Sequence, residues 1–242
     1  MAIPRQEIKF GSEIITSMQL DKILQENGFK ELYPPRSIYS TYLDTISDSF
    51  LEANIEGHGY RKKLRLRHYQ NDIIDKEIPN ITLEEKVKFL TSTTKTSGNV
   101  SHDQYSTLLV YDPEYGEEVP VSLSSHSLYP GLIPKSIVAY RRRYYSDDKV
   151  RITVDDLMRF AQIDKFTQLI SEFYPLRKAI IIEIKSGIFT DLKNYENLLD
   201  NIPKIERTKM SKYVASRSFF DPKIDCFYPG ATKYGSAVNS TV

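Results

Sequence analysis

Six segments of this chain alternate charged and apolar residues, and the charged positions are mostly cationic. In YRKKLRLRHYQ, residues 60–70, Arg61, Lys63, Arg65 and Arg67 share one parity while Leu64 and Leu66 share the other. A period of two is that of a β-strand with unlike faces. RQEIKF sets Arg5, Glu7 and Lys9 against Ile8 and Phe10, and TLEEKVKF sets Glu84, Lys86 and Lys88 against Leu83, Val87 and Phe89. VAYRRRYY places Tyr140, Arg142 and Tyr144 together, VRITVDD opposes Arg151, Thr153 and Asp155 to Val150, Ile152 and Val154, and IIIEIKSG opposes Glu183 and Lys185 to Ile182 and Ile184. Any one of these alone fits a half-buried antiparallel strand with its charges in water. As a set they are rich in Arg and poor in Ser, Thr, Gln and Asn, their acidic residues are single, and their aliphatic faces can carry several helices. The expected fold is therefore α+β: an antiparallel β-barrel tunnel with a polar, basic lumen and helices packed on its outer apolar face.

Such a lumen has an electrostatic demand. Two cations about 5 Å apart repel by roughly 3 kcal/mol at an effective dielectric near 20. An anion has to enter, and Arg forks with Lys point charges suit closely spaced phosphates. The field is local, because 33 Lys and Arg face 32 Asp and Glu over 242 residues, which argues against a general nucleic-acid or membrane-surface coat. A single carboxylate among cations, Glu183, has a divalent metal bridging it to phosphate as its natural partner. Cys226 is the only cysteine, which rules out an intrachain disulfide and a cysteine zinc cluster and fits a reducing cytoplasm. MAIPRQEIKF has no apolar signal core, and AIIIEI falls far short of the roughly 20 residues that span a bilayer. No membrane segment is expected.

Cap and spacing signals predict helices in SMQLDKILQENG, with Ser17 as cap, in SDSFLEANIEG, between Ser47 and Gly57, and in TDLKNYENLLDNIP, ending at Pro203. A possible capping box at Ser101 and Gln104 predicts a helix over YSTLLVY, and Ser211 begins a last one. TSTTKTSGN, residues 91–99, reads as a polar joint between two halves of one fold. Residues 1–220 are expected to form one domain, and 221–242 a flexible tail.

Taken in order, RQEIKF, STYLDT, GYRKKLRLRHY, LEEKVK, VAYRRRYYS, VRITVDD, IIEIKSG and KMSKY resemble the catalytic domain of vacuolar transporter chaperone (VTC) polyphosphate polymerases, a branch of the CYTH-like triphosphate tunnel metalloenzymes. The resemblance spans about residues 5–217. It implies a metal-dependent phosphotransferase that moves the terminal phosphate of ATP onto an inorganic polyphosphate chain with Mn2+ or Mg2+. It also implies roles: Lys9 as the first-strand lysine, Arg65 and Arg67 as the paired arginines, Lys86 as the lysine that follows, and Arg142 and Arg151 as further phosphate ligands. Tyr140 joins Arg142 in a tyrosine-x-arginine pair, Glu183 is the metal-binding glutamate, and Lys212 is the lysine at the tunnel mouth. Glu7, Lys63, Glu84, Lys185 and Lys209 are the further substrate-binding candidates. Hydrolytic members typically begin with two glutamates and a lysine at alternate positions. Here Arg5 replaces the first, which favours the polymerase branch. The sequence contains neither the SPX sensor domain nor the membrane helices of eukaryotic members, so transport of product is not expected of it.

Two other functions stay open: an inorganic or organic triphosphatase, with Glu84 or Glu7 as base toward water, and a non-catalytic polyphosphate-binding module. An RNA 5′-triphosphate end is the one nucleic acid the site would take. His58, His68, His102 and His126 are scattered, as suits a nucleophile that is already ionised. GHGYRKK lacks the Gly-Lys-Ser/Thr ending of a phosphate loop. The 17 tyrosines are expected mostly in the core or at its edge. Asp44 reads as a turn or helix cap before a metal partner, and Lys88 and Lys185 as near strand ends.

Overall fold

The computed structural model describes residues 5–70, 80–125, 128–176, 179–187, 189–200, 202, 205–221 and 223–224. Pro203, His126 and residues 225–242 of the expected tail lie outside them. The strands are β1 (Arg5–Ser12), β2 (Lys30–Thr45), β3 (Tyr60–Gln70), β4 (Thr82–Phe89), β5 (Ser92–Asn99), β6 (Tyr105–Asp112), β7 (Glu117–Ser124), β8 (Leu132–Ser146), β9 (Arg151–Gln162), β10 (Tyr174–Pro175), β11 (Ile180–Gly187) and β12 (Glu206–Arg207). The helices are α1 (Ser17–Glu26), α2 (Ser49–Ile55), α3 (Lys193–Asp200) and α4 (Lys212–Phe220).

One large sheet runs β12-β1-β11-β9-β8-β2-β3-β4-β5, with β10 paired to β9, and all its pairings are antiparallel. Among the described residues no pairing joins β5 to β12, so the hydrogen-bonded ring stays open although the sheet curls. The curl is evident from charges: Lys9 on β1 acts on Lys63 of β3 and Lys86 of β4 from the far wall.

The outer face carries Phe10, Ile152, Val154, Ile182 and Ile184, which α1 covers with Leu20 and Leu24, and α3 with Leu199 and the preceding Leu192. Further round, the separate β6–β7 hairpin covers Tyr39, Ile137, Ala139 and Ala161 with Val119, Val121 and Leu123. The concave face also has an apolar end. There α4 inserts Tyr213, Val214 and Ala215 among Ile38, Val138, Met158, Phe160 and Ile181. Helices α1 and α3 thus pack outside, as expected, whereas α4 fills an end of the lumen with Leu51 of α2 in the same cluster.

A bulge permits that change of character. Between Ala139 and Arg141 the β8–β9 register shifts by one residue, with Leu157 at φ 49°. An extra residue in one strand reverses its parity beyond that point. Asp155 therefore faces the lumen on one side of the bulge, and Met158 and Phe160 face it on the other.

Two local expectations are corrected. YSTLLVY is strand β6; the Ser101–Gln104 capping box exists, but closes only a 3-10 turn at His102–Gln104. Pairing with β7 along the whole of β6 outweighs that short turn. TSTTKTSGN is no joint: it forms edge strand β5, exposed throughout, whose lack of an apolar face follows from having nothing to cover. Helix starts shift slightly, with Thr16 capping α1, Asp48 preceding α2 and Ser211 capping α4 as expected.

Candidate functional site

The alternating parities deliver their charged members to one concave surface. Cross-strand register brings Lys9 opposite Glu183, Arg65 opposite Glu84 and Lys63 opposite Lys86. The row of cations is therefore interrupted by carboxylates, each of which gathers more than one cation.

Glu84 holds Arg65 through Nε and Nη2 at 2.8 and 2.6 Å, Arg67 at 3.2 Å and Lys95 at 2.7 Å. Burial opposes its ionisation, but Arg65 and Arg67 prevail and hold its pKa at about 2. Glu84 is committed to orienting arginines and is a poor base. Asp155, fully buried, takes Arg142 bidentately at 2.5 and 2.6 Å and Lys212 at 2.6 Å. Burial raises its pKa, and the two cations more than reverse that. Glu183 accepts from Lys185 and lies 3.2 Å from Lys9 and 4.0 Å from Arg142. Lys9 also reaches Glu7 at 3.3 Å. Its own pKa, which burial would lower, is raised by Glu183 and Glu7.

Tyr140 joins the two walls. Its hydroxyl accepts from Arg67 Nη2 at 3.1 Å, and Lys212 Nζ stands 4.8 Å from its ring centre. Burial acts to raise the phenol's pKa, and Arg142 and Arg67 overcome it, so the net shift is downward.

Lys63 and Lys86 differ from the paired cations of the lumen, since neither has a carboxylate within 4 Å among the described residues. Lys63 donates to Ser211 Oγ at 2.8 Å. Burial first, and then Lys9, Lys86, Arg61 and Arg65, push its pKa down to about 7. Lys86 is lowered chiefly by burial, with Lys9 and Lys185 adding to the effect and Glu7 opposing it. Two ammonium groups held below their ordinary range in one cavity form a site short of negative charge.

Two candidates stand apart. Arg151 lies at the rim, in a cavity of about 240 Å³ with Lys149, Lys185 and Ser186. Lys209 is exposed on the loop before α4. Asp44 proves to be a structural cap: its carboxylate accepts from Phe50 N at 2.9 Å, Leu51 N at 2.8 Å and the Tyr213 hydroxyl at 2.7 Å, tying α2 to α4. The histidines stay clear of the cations where described. His68 sits on the outer face, stacked 5.0 Å from Tyr39 and lowered by burial to about 4, while His58 pairs with Glu56.

Sequence reasoning missed Asp155, Lys95 and Ser211 as site members. Asp155 shares the parity of Arg151, which was the available signal. Lys95 and Ser211 arrive only through the β4–β5 register and the placement of α4.

Metal chemistry can be tested on the donor set. Glu183 and Glu7 meet on the Lys9 ammonium, and Glu183 is paired with Lys185 as well, so a divalent ion here would take the place of an ammonium these two carboxylates already hold. Among the described residues no group of three or more His, Cys, Asp or Glu side chains could hold an ion alone. The residues fit a hard divalent ion that completes its shell with phosphate oxygens and water. No helix among the described residues is long and apolar enough to cross a membrane.

Comparison with solved structures finds distant likenesses. A candidate adenylate cyclase of Vibrio parahaemolyticus shares 11% identity over 85% of this chain and 94% of its own, with a TM-score of 0.43. A Pyrococcus horikoshii protein shares 13% over 83% and 94%, also at 0.43. A candidate adenylyl cyclase of Hippeastrum, described as having a dominant triphosphatase activity, shares 14% over 88% and 94%, again at 0.43. No curated protein matches the sequence. The family profile described as the VTC domain matches residues 5–220, nearly all of the curled sheet and α4 with it, and the chain belongs to the VTC domain family.

Proposed function

We propose that the protein is a metal-dependent phosphotransferase that moves the terminal phosphate of ATP onto an inorganic polyphosphate chain. One observation carries the choice of acceptor. The buried lumen carboxylates Glu84, Asp155 and Glu183 are each gripped by two or more cations and held below the usual carboxylate range. The described histidines lie outside the cation cluster. A water nucleophile profits from a nearby base, whereas a polyphosphate end is already ionised near neutral pH and needs alignment and charge neutralisation.

In this reading Lys9, Arg65, Arg67, Lys86, Arg142 and Lys212 hold the phosphate oxygens, and Lys63 gains its full charge when the triphosphate arrives. Arg151, Lys185 and Lys149 extend the positive surface to the rim. The bond from the terminal phosphorus to the bridging oxygen of ATP breaks, a bond to the terminal oxygen of the acceptor forms, and ADP leaves with the bridging oxygen. Glu183, with Glu7 beside it, would hold Mn2+ or Mg2+, which supplies further neutralisation of phosphate charge.

The test is incubation with ATP, Mn2+ and a short polyphosphate primer, with products sized on a gel and ADP and free phosphate quantified. Primer extension with one ADP per added phosphate is expected. Rapid phosphate release with no longer chains would overturn the reading in favour of hydrolysis, and no turnover with intact anion binding would make the protein a binding module.

A further inference from the structure

The contact between Lys63 and Ser211 differs in kind from the charge pairs around it. Lys63 Nζ lies 2.8 Å from Ser211 Oγ, and Ser211, as the N-cap of α4, also accepts from Val214 N at 3.4 Å. Helix α4 thus fixes the hydroxyl where the lysine reaches it from β3. Ser211 is only partly buried, and Lys212, the next residue, turns into the lumen to meet Asp155 at 2.6 Å. The hydroxyl therefore stands at the edge of the phosphate-binding groups, within reach of a terminal phosphate held there.

Among the described residues, the other hydroxyls bonded to lumen cations meet arginines. Ser40 Oγ accepts from Arg67 Nε at 3.3 Å, the Tyr140 hydroxyl from Arg67 Nη2 at 3.1 Å and the Tyr42 hydroxyl from Arg65 Nη1 at 3.1 Å. A guanidinium keeps its proton in a protein and cannot take one from a hydroxyl. A lysine amine can, and a serine paired with one is an activated nucleophile. Lys63 is suited to that part: burial, Lys9 from β1, Lys86 from β4, and Arg61 and Arg65 from its own strand leave it at about 7.

We infer that Ser211 is a phosphoacceptor: when no polyphosphate chain occupies the lumen, the terminal phosphate of ATP passes to Ser211 Oγ, and Lys63 takes the hydroxyl proton. The bond from Oγ to the terminal phosphorus forms, the bond from that phosphorus to the bridging oxygen breaks, and ADP leaves with that oxygen. Lys63, neutral at the start, becomes the ammonium beside the new phosphoserine, with Lys86 opposite it on β4. A phosphate at this N-cap also meets the amides of the first turn of α4. A bound triphosphate keeps Lys63 mostly charged, so the transfer draws on the neutral remainder and is slow beside chain extension. A neutral amine has one lone pair, and Ser211 takes it, which leaves water without the same help. The inference rests on the phosphotransferase reading and adds an acceptor on the protein itself.

Intact-mass measurement of the full chain after incubation with ATP and Mn2+, without primer, tests this. A gain of one phosphoryl group is expected, located at Ser211 by peptide fragmentation. Ser211→Ala should take up none. Lys63→Arg, which keeps the charge but cannot accept a proton, should be labelled about a hundredfold more slowly. A thermal melt of each variant confirms that it folds. Excess polyphosphate primer should suppress labelling of the wild-type chain by occupying the acceptor position. Primer extension with no phosphate on Ser211, phosphate on another residue instead, labelling that primer does not reduce, or Lys63→Arg labelled at the wild-type rate would overturn the inference and leave the phosphotransferase reading intact. Neither labelling nor primer extension would sink that reading itself, and the inference with it.

Discussion

Lys63 offers the sharpest test of the anion-deficient lumen. Its ammonium is pressed down to about 7 by burial and by Lys9, Lys86, Arg61 and Arg65. A triphosphate reverses the sign of the local field, so its binding should draw a proton onto Lys63. At pH 7 the free protein carries that proton in about half of its molecules, and at pH 8.5 in about 3%. If the bound form stays protonated, affinity should fall roughly fifteenfold over this interval, about 1.6 kcal/mol. Proton uptake on binding should rise from about one half to nearly one. Calorimetry in buffers of different ionisation enthalpy measures that uptake directly. The control is Lys63→Arg, which stays charged throughout, and subtracting it removes the ligand's own ionisation. The sign for stability is opposite. In the unliganded protein the unfolded chain holds the extra proton between about 7 and 10.5, so this group's contribution to stability grows as pH rises across that window. Equal uptake by wild type and Lys63→Arg would refute the reasoning.

Three further outcomes follow from the pairing of charges. Glu183→Gln should lower metal-dependent turnover at least a hundredfold, yet metal-free tripolyphosphate binding should hold or tighten because Lys9 and Lys185 lose their competing carboxylate; a phosphate-transfer assay and titration separate the two effects. Asp155→Asn leaves Arg142 and Lys212 buried without their counter-charge and should cost about 3–5 kcal/mol in urea unfolding, part of it recovered with tripolyphosphate present. Asp44→Ala removes acceptors from two α2 amides and from Tyr213, and should cost about 2–4 kcal/mol in the same assay with little change in the ligand affinity of the folded fraction.

Alternation placed the lumen strands correctly because a side chain two residues on must return to the same face. That rule carried Lys9, Arg65, Arg67, Lys86, Arg142 and Glu183 to one surface without any knowledge of pairing. It says nothing of register, and register decides that Glu84 is clasped by Arg65, Arg67 and Lys95 instead of standing free as a base. Nor does it foresee an inserted residue: Leu157 reverses the parity of β9, and Pro34-Pro35 shifts that of β2. β6 reads as a helix from sequence because a local cap is visible in four letters, while the partner that makes it a strand lies beyond Asp112. The concave position of α4 depends on long-range packing against Val138, Met158 and Phe160, which no cap or spacing encodes.

That helix also supplies the concave face with partners that the strands do not provide themselves. A nascent chain that has emerged only as far as Met210 already contains Lys9, Arg65, Arg142 and Glu183, but Asp155 lacks one of its two cations and Lys63 lacks its hydroxyl partner. The greasy hollow among Ile38, Val138 and Phe160 is still unfilled at that stage. The strands alone therefore leave both the Asp155 pairing and the apolar hollow incomplete, and α4 completes the two together.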